Sequence, residues 1–155
     1  MMELSRRSLL RSAAAAALGF AGGDNIAAAG AANEVLDVYK LLHCGCCEGW
    51  AAHMRSAGFA VRITELEDLG PVKSRFGVSD DLAACHTAVI DGYVVEGHVP
   101  AREVLRLLRE RPAATGLAVP GMPIGSPGME MSGESEPYEV ILFAPSGRSV
   151  FERYP

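Results

Sequence analysis

Three of the four cysteines in this 155-residue chain fall within four consecutive positions, Cys44-Gly45-Cys46-Cys47, and the fourth is Cys85. An apolar segment rich in β-branched residues directly precedes this motif, and a pattern typical of an amphipathic helix follows it. The motif therefore lies where a buried strand passes into a helix. Thiolates are nucleophiles, redox partners and ligands for soft metal ions, so the fold must present one of these chemistries at that junction.

The first 32 residues are predicted to be an export signal. Arg6 and Arg7 form a basic start, an Ala-rich apolar stretch follows, and small residues near position 32 offer cleavage points. The paired arginines followed by Leu-Leu resemble a twin-arginine signal, and a general secretory signal is the alternative. The stretch is too short and too poor in Leu, Ile and Val for a membrane span. We therefore expect a periplasmic domain of residues 33–155 without membrane insertion.

Charge and cysteine spacing argue against two classes of function. The chain carries a net charge of −5 and no basic patch, which argues against nucleic-acid binding. Disulfides persist after export, but Cys46 and Cys47 are adjacent and cannot bridge without strain. Cys44–Cys47 is the comfortable local pair; otherwise one of the three must reach Cys85. The arrangement is poor for a purely structural pair of disulfides and better suited to a metal or redox site.

The hydrophobic pattern predicts a single α/β domain. Strands are predicted at residues 35–42, 59–66, 87–90 and 93–95, and helices at residues 48–57, 68–76 and 101–111. Asp91-Gly92 suits a tight hairpin turn between the third and fourth strands. A long Pro/Gly/Met-rich loop over residues 113–137 leads to an added C-terminal β-hairpin, residues 138–143 and 149–154.

The order β-α-β-α-β-β-α is that of a thioredoxin-like core, whose redox motif occupies the same strand-to-helix junction. A helix N-terminus presents free N–H groups and the positive end of the helix dipole, which stabilise a thiolate. In this fold the third strand begins beside the motif. Cys85 directly precedes that strand, so we expect it to lie against the other three cysteines.

The chemistry of the residues favours copper over zinc. Structural zinc prefers two well-spaced ligand pairs, although a set of Cys44, Cys47, Cys85 and His86 is conceivable. Closely spaced thiolates suit a cluster in which each sulfur bridges two ions, as soft Cu(I) readily forms. The predicted metal ligands are Cys44, Cys46, Cys47 and Cys85, with His86, Met122 and Met129 as accessory ligands. His98 is either a feature of the helix that follows or part of the site, and His53 is predicted on a solvated helix face.

Several longer motifs together resemble the CopG family, bacterial periplasmic proteins associated with copper resistance. They are the Cys-Gly-Cys-Cys motif with Trp50, Gly58-Phe59-Ala60-Val61, residues 79–88 with Cys-His-Thr-Ala, Gly92-Tyr93 with residues 96–100, and residues 121–130. The resemblance covers about residues 34–154. It implies a thioredoxin-like variant whose four cysteines hold a multinuclear copper cluster and also cycle to disulfides.

The leading hypothesis is a periplasmic copper-binding protein whose four cysteines hold Cu(I), either to sequester it or to interconvert Cu(I) and Cu(II) with the thiols. Other copper-handling proteins of that compartment are the expected partners. The alternative is an enzyme, a thiol–disulfide oxidoreductase using Cys44 and Cys47. A third cysteine between that pair would invite competing disulfides, and the proline expected before the third strand is replaced by Cys85-His86-Thr87. A disulfide-stapled interaction module is the third reading, disfavoured by the cysteine spacing.

Overall fold

A computed structural model describes residues 35–155; the predicted export signal, residues 1–32, lies outside the described residues. The strands are β1 (Val35–Leu41), β2 (Ala60–Leu66), β3 (His86–Ile90), β4 (Tyr93–Glu96), β5 (Gly116–Ala118), β6 (Tyr138–Ala144) and β7 (Gly147–Tyr154). The helices are α1 (Gly45–Ser56), α2 (Gly70–Arg75) and α3 (Ala101–Glu110), with a 3₁₀ turn at Asp80–Leu82. No described helix has both the length and the apolar character needed to cross a bilayer.

All seven strands form one mixed sheet in the order β2-β1-β3-β4-β5-β6-β7. β1 runs parallel to β2 and antiparallel to β3, and β4 runs antiparallel to β3 and parallel to β5. The predicted α/β class, the order β-α-β-α-β-β-α and the C-terminal hairpin are confirmed. The thioredoxin-like assignment stays a prediction.

The sheet buries a cluster of apolar side chains on each face. The larger cluster contains Trp50 and Met54 of α1 together with Val104 and Leu107 of α3. The smaller one includes Val78, Leu82 and Phe143, with Phe76 packed against it. Because side chains alternate along a strand, neighbouring residues of β4 and β5 face different clusters, as Val94 and Val95 do.

The start of the first helix and the presence of a short strand differ most from the sequence prediction. The first helix was expected at residue 48 but begins at Gly45, since Glu48 N–H already bonds to the Cys44 carbonyl at 3.3 Å. Cys46 and Cys47 therefore lie inside its first turn. Within the predicted loop, β5 pairs with both β4 and β6. A strand of three residues is too short to produce a recognisable alternation.

Candidate metal centre

The fold brings all four cysteines to one point, where β1 ends and β3 begins. Lys40, next to the end of β1, pairs in register with His86, the first residue of β3. Because these strands are antiparallel, the chain leaving β1 and the chain entering β3 meet there. Cys44 caps the start of α1, Cys46 and Cys47 follow in its first turn, and Cys85 precedes β3. Their four sulfur atoms lie within 4.8 Å of one another.

The four cysteines are in two different states in the structure. Cys44 and Cys47 form a disulfide, and Cys46 and Cys85 are free. Cys46 Sγ lies 3.5 Å from Cys44 Sγ and 3.7 Å from Cys85 Sγ. The disulfide joins the local pair whose separation in the sequence allows a bridge with little strain. Because the free Cys46 thiol is in van der Waals contact with one sulfur of the disulfide and with the free Cys85 sulfur, thiol–disulfide exchange is within reach.

Burial controls the protonation of the fourth cysteine. Burial, followed by the neighbouring Cys46 thiol, raises the pKa of Cys85 to about 12, against a smaller opposing effect of the Lys73 cation. At neutral pH the Cys85 side chain of the metal-free protein is therefore a neutral thiol. A metal ion that binds this sulfur has to displace the proton.

His98 is a candidate site residue whose role the sequence left open. Its Nε2 atom lies 2.9 Å from Cys85 Sγ, and its Nδ1 atom lies 2.8 Å from the Pro127 carbonyl oxygen. A carbonyl only accepts, so Nδ1 carries the proton and the lone pair of Nε2 points at the cysteine cluster. Burial lowers the pKa of His98, which keeps the ring neutral. Metal-binding histidines are commonly held in this way by a carbonyl on the second nitrogen.

His86 borders the same sulfur from another direction. Its Nδ1 atom lies 3.4 Å from Cys85 Sγ, and its ring packs on Trp50 with centroids 4.3 Å apart. His86 Nε2 is buried and has no hydrogen-bond partner among the described residues. Cys85, His86 and His98 form a second group whose ligand atoms lie within 4.8 Å of one another. Cys85 thus belongs to a sulfur set and to an imidazole set.

The loop after β5 lies across the first helix. A Cβ atom on Gly128 would stand 2.5 Å from the Cys46 carbonyl oxygen, so backbone meets backbone at this point. Met129 follows directly and is partly buried, whereas Met122 is 51% exposed. The predicted ligand roles of the two methionines remain predictions. His43, before the motif, is exposed and adopts a left-handed backbone conformation with φ 59°.

A buried lysine holds the first turn of α1 in place through ion pairs. Lys40 is 1% exposed, and its ammonium group contacts Glu48 at 3.1 Å and Glu65 at 2.5 Å. These carboxylates raise the pKa of Lys40 against the opposing effect of burial. The turn that carries Cys46 and Cys47 is therefore tied to the ends of β1 and β2.

Comparison with known proteins identifies the family. A family model described as "Protein of unknown function, DUF411" matches residues 82–129. No curated protein matches the chain. A solved structure named "Copper resistance protein copG- Form 2" has 47% identity and a TM-score of 0.75, with 79% of this chain and 98% of that chain covered. The chain belongs to the CopG family. The structure named Form 1 of the same CopG protein gives 48% identity, coverage of 78% and 97%, and a TM-score of 0.74.

Proposed function

We propose that this CopG family member is an exported copper-binding protein that holds Cu(I) in a thiolate-bridged multinuclear cluster and serves copper resistance or homeostasis. The proposal depends on one observation, the convergence of four cysteine sulfurs within 4.8 Å at a helix N-terminus. Thiolates are soft ligands that suit Cu(I), and the solved relatives are named copper resistance proteins. Copper is the cargo of this site. Other copper-handling proteins of the periplasm are its expected partners.

The disulfide defines two states of the site. With Cys44 and Cys47 bonded to each other, Cys46 and Cys85 are the free thiols. Two electrons and two protons from a dithiol reductant convert the disulfide into two further thiols, and copper then displaces the thiol protons. Cluster binding and the disulfide therefore exclude each other. The reduced protein is the copper-binding form.

Imidazoles complete the ligand set in this proposal. His98 Nε2 points at Cys85 and is held by the Pro127 carbonyl, and the buried His86 ring carries a nitrogen without a partner among the described residues. Met122 and Met129 are proposed as thioether ligands on the loop that crosses α1. These four side chains supplement the thiolates and do not replace them.

The stoichiometry of Cu(I) tests the cluster. Anaerobic Cu(I) titration of the reduced protein, read by native mass spectrometry, should give more than one copper per chain. Cys85→Ser removes the sulfur shared by both ligand sets and should lower that number. Ser56→Ala, at the far end of α1, is a control that should bind as the unaltered protein does. One copper per chain, unchanged by Cys85→Ser, would contradict the cluster.

Zinc is the competing metal because sulfur distances alone do not separate the two. A tetrahedral Zn–S bond of about 2.3 Å places sulfurs roughly 3.8 Å apart. The Sγ–Sγ distances of 3.5 and 3.7 Å in the structure are close to that value. Anaerobic competition should show Cu(I) displacing Zn(II) from the four thiols. Zinc retained against stoichiometric Cu(I) would favour a structural zinc site.

The second candidate function is thiol–disulfide exchange by Cys44 and Cys47. The observation in its favour is their disulfide at the start of α1, next to the free Cys46 thiol. Copper-free, reduced protein should then reduce insulin disulfides, and Cys47→Ser should abolish the activity. We expect no such turnover. Rapid insulin reduction would favour a thiol–disulfide oxidoreductase over a copper-binding protein.

A further inference from the structure

A buried carboxylate stands behind the segment that carries Cys85. Glu96, the last residue of β4, is 0% exposed and accepts hydrogen bonds from the Ala84 N–H at 2.7 Å and the Thr87 hydroxyl at 2.6 Å. The Lys73 ammonium of α2 pairs with the same carboxylate. Ala84 and Thr87 flank Cys85-His86 on both sides. One side chain therefore holds both ends of the segment that presents the fourth thiol.

The backbone of the next residue holds the same segment. Gly97 N–H donates to the His86 carbonyl at 3.0 Å. A Cβ atom on Gly97 would lie 2.6 Å from the Ala84 Cβ and 2.6 Å from the Val119 carbonyl oxygen. Only glycine permits this approach, particularly at φ +71°. Glu96 and Gly97 thus fix the Cys85 segment through the side chain and the main chain.

The buried charge of the Glu96 carboxylate is compensated within this network. A buried carboxylate without compensation is strongly unfavourable, and each of its three donors reduces that cost. Lys73 Nζ also lies 3.2 Å from the Thr87 hydroxyl oxygen, which closes a ring of three side chains. None of the three belongs to the proposed ligands. The network lies immediately beside those ligands, on the chain segment that connects them to β3.

We propose that Glu96, braced by Lys73 and Thr87, is a positioning residue that fixes Cys85 against the three cysteines of α1. The inference rests on the proposed copper function for its metal readout. Its core is geometric: without the carboxylate, the segment entering β3 loses its anchor at Ala84 and Thr87, and the fourth sulfur leaves the cluster. Glu96 acts through the backbone and touches no metal.

Two readouts test this role. In metal-free protein, the rate of Cys85 alkylation by iodoacetamide relative to Cys46 is followed by mass spectrometry. Glu96→Ala should raise that ratio by about tenfold or more, as expected for the loss of hydrogen bonds to a charged acceptor. In Cu(I) titration, Glu96→Ala should bind as few ions as Cys85→Ser. An unchanged alkylation ratio would overturn the proposal.

The chain supplies a matched control and a conservative rescue. Glu103 of α3 is also a buried carboxylate, at 3% exposure, and bonds to Arg102 and Tyr154. Glu103→Ala should lower stability and leave both readouts unchanged. The double variant Glu96→Gln with Lys73→Met keeps an acceptor for the Ala84 N–H without a buried charge, and should behave like the unaltered protein. Labelling as fast as in Glu96→Ala would refute the positioning role.

The design separates the two proposals. If Glu96→Ala does not fold, Thr87→Val removes one donor and should shift the alkylation ratio in the same direction; no shift overturns the inference. A protein that binds at most one copper while alkylation changes as expected rejects the cluster and keeps the positioning role. Multinuclear copper in both the unaltered protein and Glu96→Ala, with unchanged alkylation, rejects the positioning role alone.

Discussion

At the scale of the residue, His53 joins two helices. Its Nε2 atom accepts a hydrogen bond from the Ala101 N–H at 3.0 Å, at the start of α3. The first N–H groups of a helix have no partner within the helix, so the imidazole acts as a cap. This role requires a neutral ring, and burial lowers the pKa of His53 against the attraction of Glu130. The side chain, expected on a solvated face, is half-buried between two elements.

The cap predicts that stability depends on pH. Because the pKa of His53 is lower in the folded than in the unfolded chain, its contribution is complete above the unfolded value of about 6.5. It is lost as the pH falls through the folded value. Between pH 7.5 and pH 5.5, the unfolding free energy of His53→Gln should therefore fall less than that of the unaltered protein, as measured by urea titrations at each pH. His86 and His98 remain in both proteins and contribute equally. An identical pH dependence of the two proteins would contradict the cap.

At the scale of the element, the contact between α1 and the loop depends on two glycines. A Cβ atom built on Gly49 would lie 3.1 Å from the Gly128 Cα. A Cβ atom built on Gly128 would lie 2.6 Å from the backbone nitrogen of Trp50. The same loop supplies the Pro127 carbonyl that orients His98. The loop is therefore a structural part of the site.

Gly128→Ala tests this contact against a matched glycine. Gly128 and Gly133 both have positive φ, at +86° and +78°, but nothing lies within 4 Å of a Cβ on Gly133. Both alanine variants should lose about 1–2 kcal/mol from the left-handed conformation. Gly128→Ala should lose a further ~1–3 kcal/mol from the steric clash with α1. Equal losses in chemical denaturation would show that the loop moves aside freely.

Sequence patterns predicted the strands and helices of four or more residues and missed the three-residue strand β5. β1, β2 and the β3–β4 hairpin follow from alternation and from Asp91-Gly92, both of which have positive φ as a primed turn requires. β5 gave no signal because its three residues are held by neighbours that are distant in sequence. The start of α1 was placed too late, since the motif offers no Ser, Thr, Asp or Asn cap.

At the scale of the whole molecule, the C-terminal hairpin is part of the core. β6 contributes Val140 to the larger apolar cluster and Phe143 to the smaller one, and it pairs with β5. The hairpin therefore closes both faces of the sheet. The fold should not survive its removal.

Phe143→Ala measures this contribution. Phe143 is 4% exposed, and its truncation should cost about 3–5 kcal/mol of unfolding free energy. Val150 on the adjacent strand is 37% exposed, so Val150→Ala should cost less than about 1 kcal/mol. Urea denaturation followed by Trp50 fluorescence gives both values. Similar losses in the two variants would mean that the hairpin is only attached to the surface.

The topology of the whole molecule explains which site residues could be predicted from the sequence. The meeting of Cys85 with the other cysteines followed from the order of the elements, because strand topology decides which chain ends converge. His98 and Glu96 could not be assigned, since their roles depend on Pro127 and Ala84, with which they share no periodic pattern. A Gly-His-Val-Pro sequence before a helix was the available signal for His98.

Under the proposed function, the membership of Cys85 in both candidate donor groups affects how copper ions accumulate. A sulfur common to two coordination environments links their occupancies, since an ion in one alters the electron density that the other receives. Loading should then follow a coupled isotherm and not the sum of two independent ones. The thiol at the entrance to β3 would set the order in which the centre fills and empties.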